Sequence, residues 1–349
     1  MKGIAFGHAG LVERNDIMRD YLFRGDDFDA YKKWPNPDLI ISDGPYGVNG
    51  YDGDFTSPAD LIPFYDKHIA AWTKYANPGA TLWFWNTELG WATVHSLFDK
   101  YGWEYKGVNT WNKGRGFIAG NVNTKSLSSF PVVTEIAVQY VLNPRFSTNG
   151  HKVSEQNWLR SEWQRTGLPL KLSNEAVGVK SAATRKYLTK DNLWYSPPAT
   201  QFEKLVKYAN EYGNPDGRPY YSLNGITPLT GRDWERIHPT FKLPVGYTNV
   251  WDVPKVSGKE RIKVADSSFK ALHSNQKPLS LMKLLVSTSS NEGDVVWEPF
   301  GGLASASVAA LKLNREPYVA ETNSKFYDAI EQRLNQVTRD IQLPLTMFS

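Results

Sequence analysis

The two segments of this chain that could do chemistry lie in opposite halves of the sequence. In the later one, residues 294–302 read as an apolar strand that ends in Gly301-Gly302. Glycines in such a turn let the backbone approach a ligand, and a helix that starts there offers free N–H groups to an anion. A further predicted strand ends in Glu321, whose carboxylate can bind both hydroxyls of a ribose. The pattern indicates a nucleotide-like ligand, although an ordinary strand–turn–helix fits the two glycines equally well.

The earlier segment, residues 37–47, reads as a strand that ends in Asp43-Gly44-Pro45-Tyr46. A carboxylate and a backbone carbonyl at such a strand end can accept the two N–H bonds of a ring amine and expose its lone pair. An aromatic ring beside them can stack on the base that carries the amine. Taken alone, however, these four residues are more typical of a plain β-turn.

The elements that must position both segments alternate between strands and helices at both ends of the chain. Early strands are predicted at residues 38–42 and 80–85, with an amphipathic helix at residues 61–75. Late in the chain, helices at 279–287, 305–313 and 326–334 alternate with strands at 294–297 and 318–321. This alternation predicts a single α/β sheet, mostly parallel, that is built from both ends of the chain and has helices on its faces.

Composition excludes several classes of protein. The 349 residues include no cysteine, which excludes disulfides, cysteine-based zinc sites and thiol nucleophiles. The six histidines show no metal-ligand spacing, and the sequence has no nucleophile elbow or Walker loop, so we expect no metal site. Residues 1–16 lack a signal-peptide layout, and no apolar run approaches the ~18 residues of a membrane span. We therefore expect a soluble, cytoplasmic protein.

The middle of the chain, roughly residues 145–248, is rich in turn-forming and polar residues and predicts short helices joined by turns. Within it, residues 151–190 contain eight Lys/Arg and three Asp/Glu, a balance of +5. The whole chain carries +4, so the basic excess is concentrated in this stretch, as a phosphate-binding surface requires.

One part of this stretch has the pattern of a helix-turn-helix. A short helix at residues 172–177 is followed by a glycine-containing turn and a small, polar and basic helix at residues 180–188. On this interpretation Ala182 and Leu188 pack inward. A basic, solvated helical hairpin fits the same residues equally well. The predicted DNA-contacting residues are Lys180, Ser181, Thr184, Arg185 and Lys186.

Taken together, the motifs resemble those of the amino-group DNA methyltransferases. The match covers the chain outside its middle lobe. Asp43-Gly44-Pro45-Tyr46 resembles the Asp-Pro-Pro-Tyr motif of that family, and Gly25-Asp26 is similar to its early Gly-Asp strand end. The C-terminal signature is matched by His273-Ser274-Asn275-Gln276-Lys277-Pro278-Leu279, Trp297-Glu298-Pro299-Phe300-Gly301-Gly302 and Glu321-Thr322-Asn323.

The resemblance implies S-adenosylmethionine as cofactor and assigns roles to these positions. Asp43, Gly44, Pro45 and Tyr46 would be catalytic: the Asp43 carboxylate and the Gly44 carbonyl would accept from the amine, and Tyr46 would stack on the base. Glu298 stands where Asp is commoner, Gly44 where Pro is usual, and Leu303–Ala306 replaces a Ser-Gly-Thr-type segment. The implied cofactor-binding residues are Asp26, Lys277, Pro278, Glu298, Pro299, Phe300, Gly301, Gly302, Glu321 and Asn323.

The order of the motifs is that of the family's β class, in which the catalytic strand precedes the cofactor strand. The implied fold is a Rossmann-like, doubly wound and mostly parallel sheet, circularly permuted, with an inserted and mainly helical target-recognition lobe. We expect residues 1–145 to form the catalytic half, residues 146–248 the DNA-reading insertion, and residues 249–349 the cofactor-binding half. The expected partner is double-stranded DNA, not a membrane. The sequence leaves open whether the chain forms a homodimer and whether a cognate restriction endonuclease accompanies it.

An Asp-headed catalytic motif in this family favours methylation of the N6 amine of a flipped-out adenine. The N4 amine of cytosine is the nearest alternative, because the correlation between motif and base is imperfect. RNA or a protein amide is a further alternative acceptor, although related enzymes of that kind more often begin the motif with Asn. A non-catalytic DNA-binding module with the same fold is the last alternative.

Overall fold

The computed structural model describes residues 21–50, 54–114, 128–144, 146–264, 270–273 and 275–346. Residues 1–16, in which no signal peptide is recognised, lie outside this range. The chain divides into two compact units, one that joins residues up to Leu142 with those from Pro239 onward, and one at Asn143–His238. The second unit ends ten residues before the predicted lobe boundary at 248. Lys242 explains the difference, because its backbone N–H donates to the Thr288 carbonyl at 2.8 Å within the first unit.

In chain order, the strands are β1 (Leu22–Arg24), β2 (Leu39–Ser42), β3 (Thr81–Asn86), β4 (Trp103–Asn112), β5 (Thr134–Leu142), β6 (Ser147–Thr148), β7 (His151–Lys152), β8 (Val250–Asp252), β9 (Val295–Glu298) and β10 (Glu316–Glu321). The helices are α1 (Asp27–Tyr31), α2 (Leu61–Tyr75), α3 (Glu88–Tyr101), α4 (Glu155–Arg165), α5 (Leu172–Val177), α6 (Ala182–Lys186), α7 (Ala199–Tyr212), α8 (Gly231–Ile237), α9 (Leu279–Ser289), α10 (Ser305–Lys312) and α11 (Ser324–Thr346). Short 3-10 helices lie at Pro58–Asp60 and Gly258–Glu260. No helix in the described ranges is both long and apolar enough to cross a membrane.

The first unit is organised around one sheet with the strand order β1-β10-β9-β2-β3-β5-β4-β8. Among these described strands, β5 runs antiparallel to both of its neighbours, and the other pairs are parallel. Leu39 pairs with Val296 and Ile40 with Trp297, which places β2 directly beside β9. The sheet winds outward in one direction from β2 and in the other from β9. This topology confirms the predicted doubly wound, mostly parallel sheet.

The central strands are buried on both faces, which explains their continuous apolar sequences. In β3, Leu82 and Phe84 point into a core that contains Trp72 of α2. Trp83 and Trp85 of the same strand point into the opposite core, together with residues of α9 and α10. Each face of the sheet is therefore covered by helices, and the strand ends are left as the places where a ligand can enter.

The second unit has its own aromatic core. Phe202 of α7 stacks on Trp234 of α8 with ring centroids 4.0 Å apart. Beside this core, the buried carboxylate of Glu162 accepts hydrogen bonds from Arg165 at 2.7 Å and Arg218 at 2.9 Å. A buried charge of this kind is tolerated because it is paired and hydrogen-bonded.

Candidate active site

The carboxyl ends of β2 and β9 meet where the winding of the sheet reverses, which is where ligands bind in such folds. A cavity of about 600 Å³ opens at this point. That volume lies within the range of small-molecule sites. Both halves of the chain line the cavity, so the two segments singled out in the sequence meet in one site. Predicted residues in the lining are Asp26, Asp43, Gly44, Pro45, Tyr46, Lys277, Glu298, Pro299, Phe300, Gly301, Gly302, Glu321 and Asn323.

The glycine loop after β9 is fixed against the end of β10. A Cβ atom on Gly301 would lie 2.8 Å from the Ala320 carbonyl oxygen, so the close backbone contact requires glycine there. Gly302 has a φ of +53° and donates its N–H to Glu321 Oε2 at 2.8 Å. The other oxygen of Glu321 accepts from the Asn323 N–H at 2.7 Å. Both carboxylate oxygens of Glu321 therefore hold backbone in place while they border the cavity.

Glu298 anchors the first turn of α10. Its carboxylate is buried and accepts from the Ala306 N–H at 3.1 Å, the Ser307 N–H at 2.7 Å and the Ser307 hydroxyl at 2.6 Å. Burial raises the pKa of Glu298 to about 7, against the opposing effect of the bonds from Ser307 and Ala306. The residue thus fixes the orientation of the helix that follows the glycine loop.

Two other predicted cofactor residues cap helices at the edge of the cavity. Asp26 Oδ1 accepts from the Phe28 N–H at 2.8 Å at the start of α1. Asn323 Oδ1 accepts from the Lys325 N–H at 3.0 Å at the start of α11. Pro278, which directly precedes α9, lies outside the described lining of the cavity.

An aromatic wall of the cavity was not foreseen from the sequence. His68 of α2 is buried and stacks on Phe28, with ring centroids 4.5 Å apart, and lies 4.4 Å from Phe64. Burial lowers the pKa of His68 to about 3. Burial likewise raises the pKa of the neighbouring Asp27 to about 7, although the Tyr31 hydroxyl donates to it at 2.9 Å. The amphipathic pattern of α2 reveals its buried face but not that this face borders a ligand cavity.

The Asp43 carboxylate is held by a lysine from the other half of the chain. Lys277 Nζ lies 2.8 Å from each oxygen of Asp43 and 3.0 Å from the Tyr46 hydroxyl. The Tyr46 hydroxyl in turn lies 2.8 Å from Asp43 Oδ1. Burial acts to lower the pKa of Lys277, but the carboxylates of Asp43 and Glu135 outweigh it and raise that pKa. Lys277, which the sequence groups with the cofactor residues, is therefore a charged partner of Asp43.

Glu135, at the start of β5, completes this cluster and was missed in the sequence. Its Oε2 lies 3.3 Å from both the Tyr46 hydroxyl and Lys277 Nζ, and its Oε1 accepts from Lys113 at 2.5 Å. Burial acts to raise the pKa of Glu135, but the charges of Lys277 and Lys113 outweigh it and lower that pKa. A carboxylate beside the apolar run at 136–138 is the signal that could have revealed it.

Contacts from α2, β3 and the segment around Asp54 fix the loop that contains Pro45 and Tyr46. The Pro45 carbonyl accepts from the Tyr65 hydroxyl and from Asn86 Nδ2, each at 3.0 Å. Asp54 Oδ1 accepts from the backbone N–H groups of Tyr46 and Gly47, each at 2.8 Å. A loop held in this way keeps its acceptors oriented before any substrate arrives.

The same contacts explain why Gly44 replaces the proline of the family motif. A Cβ atom on Gly44 would lie 2.6 Å from the Tyr65 hydroxyl oxygen and 2.7 Å from the Phe300 ring. Tyr65 and Phe300 occupy the space that a larger residue would need. The rigidity that proline would supply comes here from the hydrogen bonds of the neighbouring Pro45 carbonyl.

The predicted DNA-contacting residues lie in the second unit, on and just before α6. Lys180, Ser181, Arg185 and Lys186 are exposed. The prediction that Thr184 faces a groove is wrong, because its hydroxyl lies 2.8 Å from Ser173 Oγ and donates to the Leu170 carbonyl at 3.0 Å.

The packing of α6 also differs from the sequence prediction in one position. Ala183 is buried instead of Ala182, whereas Leu188 is buried as predicted. The helix spans Ala182–Lys186 and not the predicted residues 180–188, so the helical face begins later along the chain. Ala183 lies four residues before the buried Tyr187, so these two residues share the inward face of the helix.

Comparison with known proteins supports the resemblance to DNA methyltransferases. A family model described as DNA methylase (N6_N4_Mtase) matches residues 37–332. The Type II methyltransferase M.HinfI of Haemophilus influenzae is 38% identical over 98 residues, which are 27% of this chain and 27% of that protein. The Type II methyltransferase M.HindIII of the same species is 40% identical over 68 residues, 20% of this chain and 22% of that protein. The matched segments thus span about a quarter of these relatives.

A solved structure shares the fold over nearly the whole chain. The crystal structure of an M1.HpyAVI–SAM complex superposes with a TM-score of 0.51 at 15% identity and covers 90% of this chain and 98% of that one. The family model spans both the Asp43 strand and the glycine loop. The chain therefore belongs to the N6_N4_Mtase family of DNA methylases.

Proposed function

We propose that this chain is a site-specific DNA methyltransferase that transfers a methyl group from S-adenosylmethionine to the N6 amine of an adenine flipped out of duplex DNA. One observation carries the proposal. The Asp43-Gly44-Pro45-Tyr46 loop and the Gly301-Gly302 loop line the same cavity at the switch point of the sheet. A carboxylate that can accept a hydrogen bond from an amine therefore lies in the same cavity as a glycine loop that can bind a nucleoside-like methyl donor.

The groups that line the cavity fit S-adenosylmethionine. Gly301 and Gly302 both line the cavity and carry no side chain, so a ligand can approach the backbone of the loop closely. Glu321 retains lone pairs beyond the two backbone N–H groups it accepts, and these can receive ribose hydroxyls. Phe300 and the wall around His68 offer flat apolar surfaces for a purine ring. When bound, this cofactor supplies a methyl group on a positively charged sulfur.

Asp43 and Gly44 hold the target amine. One N–H of the amine donates to Asp43 Oδ2, which keeps a second lone pair besides the one used by Lys277, whereas Oδ1 accepts from both Lys277 and the Tyr46 hydroxyl. The other N–H donates to the Gly44 carbonyl. Two acceptors in fixed positions favour a tetrahedral nitrogen with its lone pair directed at the methyl group. Tyr46 borders the cavity, and its tethered hydroxyl fixes the ring that stacks on the base.

The second unit binds the duplex. Residues 151–190 carry a charge of +5, and Lys180, Arg185 and Lys186 are exposed near the start and end of α6. Basic side chains arranged along one short helix can contact successive phosphates and release their counterions. We assign Lys180, Ser181, Arg185 and Lys186 to this surface and leave out the half-buried Thr184.

Identification of the methylated nucleoside tests the proposal. Unmethylated plasmid DNA is incubated with the protein and S-adenosylmethionine, digested to nucleosides and analysed by mass spectrometry, with RNA and a protein mixture as parallel acceptors. We expect N6-methyladenine in the DNA. Finding N4-methylcytosine alone would overturn the choice of base. Methylation found only in RNA or protein would overturn the choice of acceptor. Cofactor binding without any product would favour a non-catalytic DNA-binding module.

A further inference from the structure

Glu135 is a buried charged residue that has no role in the methyl transfer proposed above. It is 8% exposed, comes from the antiparallel strand β5, and its carboxylate lies between two lysines. Lys277 connects it to Asp43, and the Tyr46 hydroxyl lies within 3.3 Å of it. Ion pairs of this kind are costly to bury, so an isolated structural role would be better served by apolar residues.

The charges of this cluster balance. Asp43 and Glu135 contribute two negative charges, while Lys113 and Lys277 contribute two positive ones. Lys277 is 4% exposed, so bulk water screens its charge poorly. Without Glu135, the cluster would hold two ammonium groups and only one carboxylate, that of Asp43, which is also the proposed acceptor for the target amine.

We propose that Glu135 is a positioning residue that keeps the catalytic centre electrically neutral, so that the centre admits a cationic methyl donor and leaves Asp43 available to the amine. The inference rests on the proposed use of S-adenosylmethionine. Glu135 pairs with Lys113 and shares Lys277 with Asp43. An excess positive charge on the cluster would disfavour a bound sulfonium, whereas an uncharged thioether would be little affected.

This electrostatic role can be measured without any methyl transfer. S-adenosylmethionine and S-adenosylhomocysteine differ by a methyl group and one positive charge. Replacing Glu135 by Gln keeps the shape of the side chain and leaves the cluster with one excess positive charge. Calorimetric titration of both ligands should then show S-adenosylmethionine weakened relative to S-adenosylhomocysteine by on the order of tenfold. Binding of S-adenosylhomocysteine itself should stay close to that of the wild-type protein.

Compensating and control variants separate charge from structure. Glu135→Gln combined with Lys113→Gln returns the cluster to neutrality and should restore most of the wild-type ratio between the two ligands. Lys113→Gln alone should shift the ratio in the opposite direction, and this variant keeps the test usable if Glu135→Gln fails to fold. Glu104→Gln is the matched control, because that exposed carboxylate on β4 pairs with Lys106 at the surface. It should leave both affinities unchanged.

The outcomes distinguish this inference from the proposed function. Equal weakening of both ligands by Glu135→Gln would overturn the electrostatic role while the wild-type protein still methylates DNA. So would a ratio between the two ligands that Lys113→Gln changes neither alone nor in combination with Glu135→Gln. Failure of the wild-type protein to bind either ligand would instead reject the proposed cofactor. A product other than N6-methyladenine would revise the base and leave the charge effect intact.

Discussion

The replacement of Gly44 by Ala is the substitution whose cost can be read most directly from the structure. The added Cβ would lie 2.6 Å from the Tyr65 hydroxyl oxygen and 2.7 Å from the Phe300 ring, both closer than a carbon atom normally approaches. Tyr65 is fully buried and its hydroxyl is tied to the Pro45 carbonyl at 3.0 Å, so it cannot simply rotate away. Overpacking of this kind plus the loss of one hydrogen bond should cost about 2 to 4 kcal/mol.

Urea denaturation followed by circular dichroism measures this cost. Gly107→Ala is the matched control, since a Cβ there meets nothing within 4 Å, and its free energy of unfolding should change by less than about 1 kcal/mol. Combining Gly44→Ala with Tyr65→Phe removes one of the two clashes, so the double variant should be less destabilised than the sum of the single ones. Equal stability of Gly44→Ala and Gly107→Ala, or strict additivity in the double variant, would refute the steric explanation for glycine at this position.

Three further predictions concern Glu298, Asp54 and Arg185. Burial raises the pKa of Glu298 from 4.5 to about 7, so the folded protein keeps a proton that the unfolded chain releases. As the pH rises from about 4.5 to about 7, the free energy of unfolding should therefore fall by up to about 3 kcal/mol relative to that of Glu298→Gln. Parallel curves of unfolding free energy against pH for the two proteins would contradict this. Asp54→Asn should lower kcat by on the order of tenfold with little change in cofactor affinity, because an amide cannot accept all the backbone N–H groups that Asp54 binds in the loop after Pro45. An unchanged kcat would show that the loop needs no such support. Arg185→Ala should weaken DNA binding and reduce the slope of log K against log salt by about 1, whereas Lys204→Ala on α7 should not, and equal slopes for both would place the DNA surface elsewhere.

The sequence was sufficient to locate the residues of the candidate site that follow strand ends. Asp43 and the Gly301-Gly302 pair each follow an apolar run, and neighbouring parallel strands bring their carboxyl ends together. Glycine at a turn and a carboxylate after a strand are local signals. They could be recognised without knowing which other residues lie nearby.

The sequence was insufficient where a role depends on distant partners. Lys277 and Asp43 are 234 positions apart, and nothing local shows that the ammonium lies on the carboxylate. Glu135 sits on a strand that enters the sheet antiparallel, so its place beside Tyr46 follows from topology alone. Thr184 has the composition of a groove-facing residue, but its hydroxyl bonds to α5, because short polar side chains readily satisfy nearby backbone and hydroxyl groups.

The central claim is that the Asp43 loop binds the target amine and the Gly301-Gly302 loop binds the cofactor. Parallel measurement of cofactor binding and methyl transfer for Asp43→Asn tests this claim most directly. S-adenosylmethionine affinity is measured by calorimetry, and N6-methyladenine formed in duplex DNA is measured by mass spectrometry on the same preparations. We expect S-adenosylmethionine to bind up to about tenfold more weakly than to the wild-type protein, because the cluster loses one negative charge, and methyl transfer at saturating cofactor to fall by at least about a hundredfold. Methyl transfer close to the wild-type rate, or loss of cofactor binding in this variant, would contradict the assignment of Asp43 as the acceptor of the target amine.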